Sequence, residues 1–240
     1  VTGQELGDRN HQAVRGQLDW RPSDRWSVLT IANAFRDHSD GQGLSLFTPL
    51  ATRGGGGPTI SADRDRVNTG WGLRPAFAEI IGVGATATPS RQNAGTSLSV
   101  NARHVGERVS FTSITGAARM DRFEIGDWDE AFRTRINVLS QELRVASASG
   151  ASTEWQAGVY LADEQLRDRF YSDFTDVPGL GAAALTRYGQ RAQVAALFAQ
   201  GSRAVAAQWR VVGGVRLEYE QRWLEGLTTG FINPDVTFVP

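Results

Sequence analysis

Twelve consecutive residues set the tightest constraint on this chain. Trp209, Val211, Gly213, Val215, Leu217 and Tyr219 alternate without a break with Arg210, Val212, Gly214, Arg216, Glu218 and Glu220. A period of two places the first set on one face of an extended strand and the second on the other. The first face must meet an apolar medium. The second carries four charges, so it must meet water or a polar partner, and no amphipathic helix sorts these residues this way.

The same scheme recurs along the chain. Val14, Gly16, Leu18 and Trp20 alternate with Arg15, Gln17 and Asp19, and after the turn composition Arg21-Pro22-Ser23-Asp24 a second β-rich run covers 26–35. Leu98, Val100 and Ala102 stand against Ser97, Ser99, Asn101 and Arg103, and the turn 105–108 returns the chain through 109–120. Leu139, Gln141, Leu143 and Val145 alternate with Ser140, Glu142, Arg144 and Ala146. After the small-residue turn 147–153, a return strand from Trp155 carries Ala157, Val159 and Leu161 on one face. A run over 188–200 is the partner of the first strand described. The pattern predicts eight strands in four hairpins, each closed by a short turn, with long connections at about 37–94, 121–137, 163–187 and from 221 onward.

Strict alternation of short and long connections is the habit of outer-membrane barrels, which have short periplasmic turns and longer extracellular loops. Aromatic placement agrees. Trp20, Trp26, Trp155 and Trp209 flank the short turns, while Tyr160, Tyr219 and Trp223 lie where strands run toward the long connections, so two interfacial girdles are expected. The opposite face holds Arg15, Asp19, Arg103, Glu142, Arg144, Arg216 and Glu218 among others, too many charges for the dry core of a sandwich. In lipid only a closed barrel pairs every backbone group of such strands. The expected fold class is therefore all-β, an antiparallel transmembrane β-barrel segment, with residues 1–240 as part of a single barrel domain. This many long polar residues suit a lumen wider than that of a small barrel, whose interior side chains fill.

Composition excludes several alternatives. Apolar residues make up 40% and charged residues 21%, which fits neither a disordered chain nor helical membrane spans. The 25 basic residues, all Arg, are balanced by 26 acidic ones, so no nucleic-acid footprint is expected. With no Cys there are no disulfides or thiolate sites. The first residues have neither a basic n-region nor an apolar h-region, so no signal peptide is expected within 1–240.

Three segments, Phe111-Thr112-Ser113-Ile114-Thr115-Gly116, Ser140-Gln141-Glu142-Leu143-Arg144 and Trp155-Gln156-Ala157-Gly158-Val159-Tyr160, together resemble the barrel of TonB-dependent receptors in order and spacing. The hairpin over 188–219, ending Gly214-Val215-Arg216-Leu217-Glu218-Tyr219, is similar to later strands of that family. The resemblance covers most of 98–219. It implies a 22-stranded barrel around an N-terminal plug, with energy supplied by the TonB complex. Neither the plug nor the TonB-contacting box ahead of it is visible in 1–240, and the closing strand is not expected because the chain ends Phe238-Val239-Pro240 instead of in an aromatic residue, so 1–240 would be an internal part of the barrel. The implied function is uptake of a scarce nutrient such as a ferric siderophore, cobalamin or another chelate. The implied location is the outer membrane of a Gram-negative bacterium, in contact with its lipid and lipopolysaccharide. The rivals are a passive porin-like channel and a soluble β-rich carbohydrate-binding module.

Sharper motifs carry less. The segment 77–87 looks like a strand followed by G-x-G-x-x-A, but Pro89 and Ser90 block the helix a dinucleotide site needs. Gly54-Gly55-Gly56-Gly57-Pro58 lacks the Gly-Lys-Ser/Thr of a phosphate loop. Asp63, Asp65 and the group Asp121, Glu124, Asp127, Asp129 and Glu130 lack EF-hand spacing and read as solvated loops. His11, His38 and His104 are scattered, and no catalytic constellation stands out, so no enzyme activity and no cofactor is expected. Arg64, Arg66, Arg74 and Arg91 are the candidates for contact with an anionic ligand, because Arg pairs bidentately with carboxylates and phosphates.

Overall fold

The computed structural model describes residues 6–41, 50–51, 59–60, 75–84, 86–126, 130–148, 153–173, 183–230 and 237–238. Eight long strands dominate: β1 (His11–Ser23), β2 (Trp26–Asp37), β5 (Ser90–Val105), β6 (Val109–Ile125), β7 (Glu130–Ser147), β8 (Thr153–Asp173), β9 (Ala183–Ala206) and β10 (Trp209–Gly230). Between β2 and β5 lie the two-residue strands β3 (Leu50–Ala51) and β4 (Thr59–Ile60) and the helix α1 (Pro75–Ile81); the two-residue β11 (Thr237–Phe238) follows β10. The main sheet runs in order β1-β2-β5-β6-β7-β8-β9-β10-β11, every neighbour antiparallel, while β3 and β4 pair separately. The expected eight strands in four hairpins are present. Beyond β9, β10 pairs only with β11 at Thr228 and Thr229, so the sheet has two open long edges among the described residues.

The strands outrun the sequence expectation, with lengths from 12 residues in β2 to 24 in β9. A tilted membrane crossing needs only about 9–11 residues. The surplus lies at the end opposite the short turns. There the expected connection 121–137 shrinks to 126–129, 163–187 shrinks to 174–182, and β10 continues to Gly230; of the three connections between long strands at this end, the one at 38–89 is long. At the other end, the expected turn at 21–24 proves to be strand through Ser23, with a register irregularity between Trp20 and Ser23 and a two-residue turn at Asp24 and Arg25. Pro22 sits at this irregularity of an edge strand, where a missing N–H costs no ladder bond.

The segment 77–87 also departs from its strand-like reading, since Pro75–Ile81 is helical. Proline is favoured at a first helical position, and Gly82, with φ 76°, ends the helix in the left-handed region that suits glycine. Val83 N–H donates to the Ala78 carbonyl at 2.9 Å. The helix buries Phe77, Ala78 and Ile81 against Ile125, Ala131, Tyr171 and Leu185, which line the far ends of β6, β7, β8 and β9. Helix precedes the glycines here, the reverse of a dinucleotide-binding turn.

Register fixes the slope of the strands. The row of directly opposed residues that starts at Trp20 runs through Val28, Ala102, Ser113, Leu143, Val159 and Leu197 to Leu217. The tryptophan at the short-turn end of β8 is Trp155, four residues below that row, and on β10 it is Trp209, eight residues below. The aromatic line thus slips by about one residue per strand. With ~3.3 Å per residue and ~4.8 Å between strands, this corresponds to a tilt of about 38°, within the range of membrane barrels.

Candidate functional site

Cross-strand partners share a face, so the pairing registers sort every strand residue onto one of two surfaces. One surface is apolar across the whole sheet: Leu18 on β1, Val100 on β5, Leu143 on β7, Leu161 on β8, Leu197 on β9 and Leu217 on β10 all lie on it. Among the described residues, all of these leucines stand open on the outward side; Leu197 is 63% exposed and Leu217 68%. Gln141, a polar residue within this belt, is satisfied by its neighbours. Its Oε1 accepts from Thr115 Oγ1 at 2.6 Å and its Nε2 donates to Ser113 Oγ at 3.0 Å. Such internal pairing is what a polar group needs where no water reaches it.

The other surface is charged and largely self-neutralised. Arg144 pairs with Glu142, Arg222 with Glu220, Arg216 with Glu218 at 2.6 Å, and Arg210 with Glu154 at 3.0 Å. Three of these pairs join residues two apart on one strand, the spacing that keeps both on one face. Aromatic rings lie flat over glycines on this surface: Phe35 opposes Gly95, and Phe198 opposes Gly158. A bare glycine opposite lets each ring lie against the backbone of the next strand. The wall thus has one greasy and one water-compatible side, as a barrel around a polar lumen requires.

Among the aromatic residues singled out by sequence, Trp20, Trp26, Trp155 and Trp209 all project from the apolar face at the short-turn end. Tyr219 and Trp223 project from the same face toward the far end of β10. Tyr160 does not belong to that set. It opposes Glu142 and Ala196 on the charged face, with the Arg216 guanidinium 5.8 Å from its ring.

Of the candidate ligand-contact arginines, Arg64, Arg66 and Arg74 lie outside the described residues. Arg91 opens β5 on the charged face, opposite Glu124. The acidic residues read as solvated loops lie partly in strands, with Asp121 and Glu124 in β6 and Glu130 opening β7. Asp63, Asp65, Asp127 and Asp129 lie outside the described residues, while Asp121 and Glu124 point to opposite faces. Burial alone would raise the Glu124 carboxyl, but hydrogen bonds from Arg122 and Asn93 and the charges of Arg122 and Arg91 carry it below its ordinary value. Hydrogen bonds from Ser39 hold Asp37 low at the end of β2. Hydrogen bonds from Arg119 and then Arg135 hold Asp121 below its ordinary 3.8, its oxygens 2.7 and 2.5 Å from them.

A depressed carboxyl contributes stability that is complete above its unfolded-state pKa and is lost as pH falls through the folded value. Asp121→Asn should therefore destabilise slightly at pH 7, by under about 1 kcal/mol because the pairs are exposed. The difference from wild type should close below the ordinary 3.8. Parallel thermal melts from pH 7 to pH 2.5 test this; a gap that persists at the acid end contradicts it.

Among the described residues no group of three His, Cys, Asp or Glu is placed to hold a metal, and no helix is long and apolar enough to cross a membrane. No protein-family model matches the chain, and no curated protein matches it. Solved structures do. The sheet superposes on the ferric yersiniabactin uptake receptor FyuA from Yersinia pestis with a TM-score of 0.71 at 14% identity. The match covers 97% of this chain and 33% of that one. The fold is β-barrel-like, related to that of an outer-membrane receptor barrel. At this identity the likeness concerns the fold alone, and the chain spans about a third of the length of that receptor.

Proposed function

We propose that the chain is part of the wall of an outer-membrane active-transport receptor. In this reading the apolar face meets lipid and the charged face meets a lumen and its plug. Substrate is captured from outside and released inward when the TonB complex remodels the plug, with no covalent step. The cargo is a scarce chelated nutrient, of which a ferric siderophore or cobalamin is the type. One observation carries the reading. A single antiparallel meander presents an apolar belt on one face and an ion-paired polar face on the other, sloped as membrane barrels are, and it superposes on a third of an uptake receptor.

The gene upstream of Val1 tests the reading. Its translation should give a signal peptide, a short TonB-contacting box and a plug-sized domain ahead of residue 1. Iron or cobalamin uptake by cells carrying the full-length gene should then fail when TonB is deleted. A signal peptide running directly into further strands makes the wall that of a passive channel, and the absence of any export signal removes the membrane assignment.

A further inference from the structure

Above the apolar belt, the same outward face changes character. The directly opposed row Phe123, Arg133, Arg169, Arg187 and Leu227 crosses β6 to β10. The next row toward the belt is Asp121, Arg135, Arg167, Gly189 and Glu225, and the one after it is Arg119, Asn137, Gln165, Arg191 and Trp223. Three arginines therefore stand shoulder to shoulder on β7, β8 and β9, with two more directly opposed in the row below. Like charges set directly opposite in a sheet repel. On the charged face every pair described above joins opposite signs, so this arrangement is specific to the outward face.

The carboxylates nearby do not offset it. Asp121 serves Arg119 and Arg135, and Asp163 serves Arg191 at 2.7 Å. Arg133 lies over the Phe123 ring at 4.5 Å, and neither it nor Arg167, Arg169 or Arg187 has an ion-pair partner among the described residues. Seven arginines set against Asp121, Asp163 and Glu225 leave four positive charges in excess. Six of the seven line one depression of about 1420 Å³, with Trp223 at its side. The row above it, Ile125, Ala131, Tyr171 and Leu185, is capped by α1.

Depth identifies the occupant. The arginines begin two or three outward positions beyond Leu139, Leu161 and Ala195, at about 7 Å of strand per position, which is the level of lipid headgroups over a hydrocarbon belt. Acyl chains would lie along the belt below, and α1 closes the slot above. We infer that the outward arginine rows centred on Arg133, Arg169 and Arg187 bind the phosphate groups of a phosphorylated glycolipid of the outer leaflet. The guanidinium fork takes phosphate oxygens two at a time, and the bound anion relieves the repulsion between the rows. This inference rests on the membrane reading above.

The test uses the full-length protein purified in detergent and three probes: a bisphosphorylated outer-leaflet glycolipid, the same glycolipid stripped of phosphate, and inorganic phosphate. Native mass spectrometry should show retention of the first only. The triple substitution Arg133→Gln, Arg169→Gln, Arg187→Gln should weaken it by about tenfold or more. In lipid-free detergent the single change Arg169→Gln should raise the unfolding temperature by about 1–4 °C, because it removes a repulsion and no partner. A detergent-requiring protein that binds both glycolipids alike, or whose binding the triple change leaves intact, overturns this inference alone. Full competition by inorganic phosphate at equimolar concentration overturns it in favour of a free-anion site. A protein that stays in solution without detergent overturns the membrane reading and this one together.

Discussion

Leu197→Arg should cost about 2–4 kcal/mol of barrel stability, the penalty for an arginine on the lipid face near the bilayer midplane. Leu197 stands in the centre of the apolar belt, between Val159 and Leu217, and is 63% exposed. The full-length protein assembled into outer membranes and titrated with urea, with the folded form scored by its resistance to unfolding in cold detergent, gives the measurement. The contrast is Gln200→Arg, one strand position set onto the polar face, which should move the midpoint little. The sign of the contrast separates the environments. In a water-soluble module the exposed leucine becomes an exposed arginine at almost no cost, and equal midpoints for the two variants would end the membrane reading.

The second large effect is steric. Gly158→Val should remove about 3 kcal/mol or more, because overpacking here meets main chain. A Cβ at position 158 would sit 2.5 Å from Phe198 Cζ and 2.6 Å from the Leu143 carbonyl oxygen. Trimming the ring with Phe198→Ala therefore should not restore folding, since the carbonyl of the neighbouring strand cannot move without breaking the ladder. Gly95 offers the matched control. The three nearest atoms its Cβ would meet all belong to the Phe35 ring, so Gly95→Ala with Phe35→Ala should recover most of what Gly95→Ala alone loses. Recovery of Gly158→Val by Phe198→Ala would contradict the geometry.

Much of this wall is legible in the sequence, and the parts that are not share one physical cause. Within the belt, each strand separates apolar from polar residues, and the period of two stands out at 14–20, 98–103, 139–146 and 209–220. Beyond the belt the sorting changes: the outward face turns to arginine, and the inner face mixes Phe132, Ile136, Leu166 and Phe170 with polar residues. The contrast that reveals a strand disappears, and 121–137 and 163–187 read as loops although most of each is strand. A trace of the period survives in Arg133-Thr134-Arg135 and Arg167-Asp168-Arg169, where like residues two apart share a face. That trace was the available signal for the arginine rows, but their opposition across strands depends on register, which short polar segments do not specify. Tyr160 was misplaced for a simpler reason: closeness to a strand end says nothing about which face a residue occupies, whereas parity with Val159 and Leu161 does. Helix α1 was hidden because Phe77, Ala78, Ile80 and Ile81 are as apolar as a short strand, and only Pro75 and Gly82 mark its ends.

The slip of the aromatic line has a consequence for whatever flanks this sheet. In the proposed membrane setting, depth along the membrane normal and position along the ladder are different coordinates, and each strand converts one into the other with an offset of about one residue. A chain that docks on the open edge of β10 must carry its own apolar stretch one residue further along than its partner's, and one that docks on β1 must carry it one residue the other way. A segment aligned without that offset would gain every hydrogen bond and still drag a polar end into hydrocarbon. The two edges are therefore addressed: the slope admits a neighbour of the right phase and rejects the same strand one step out of phase, before any side-chain fit is consulted.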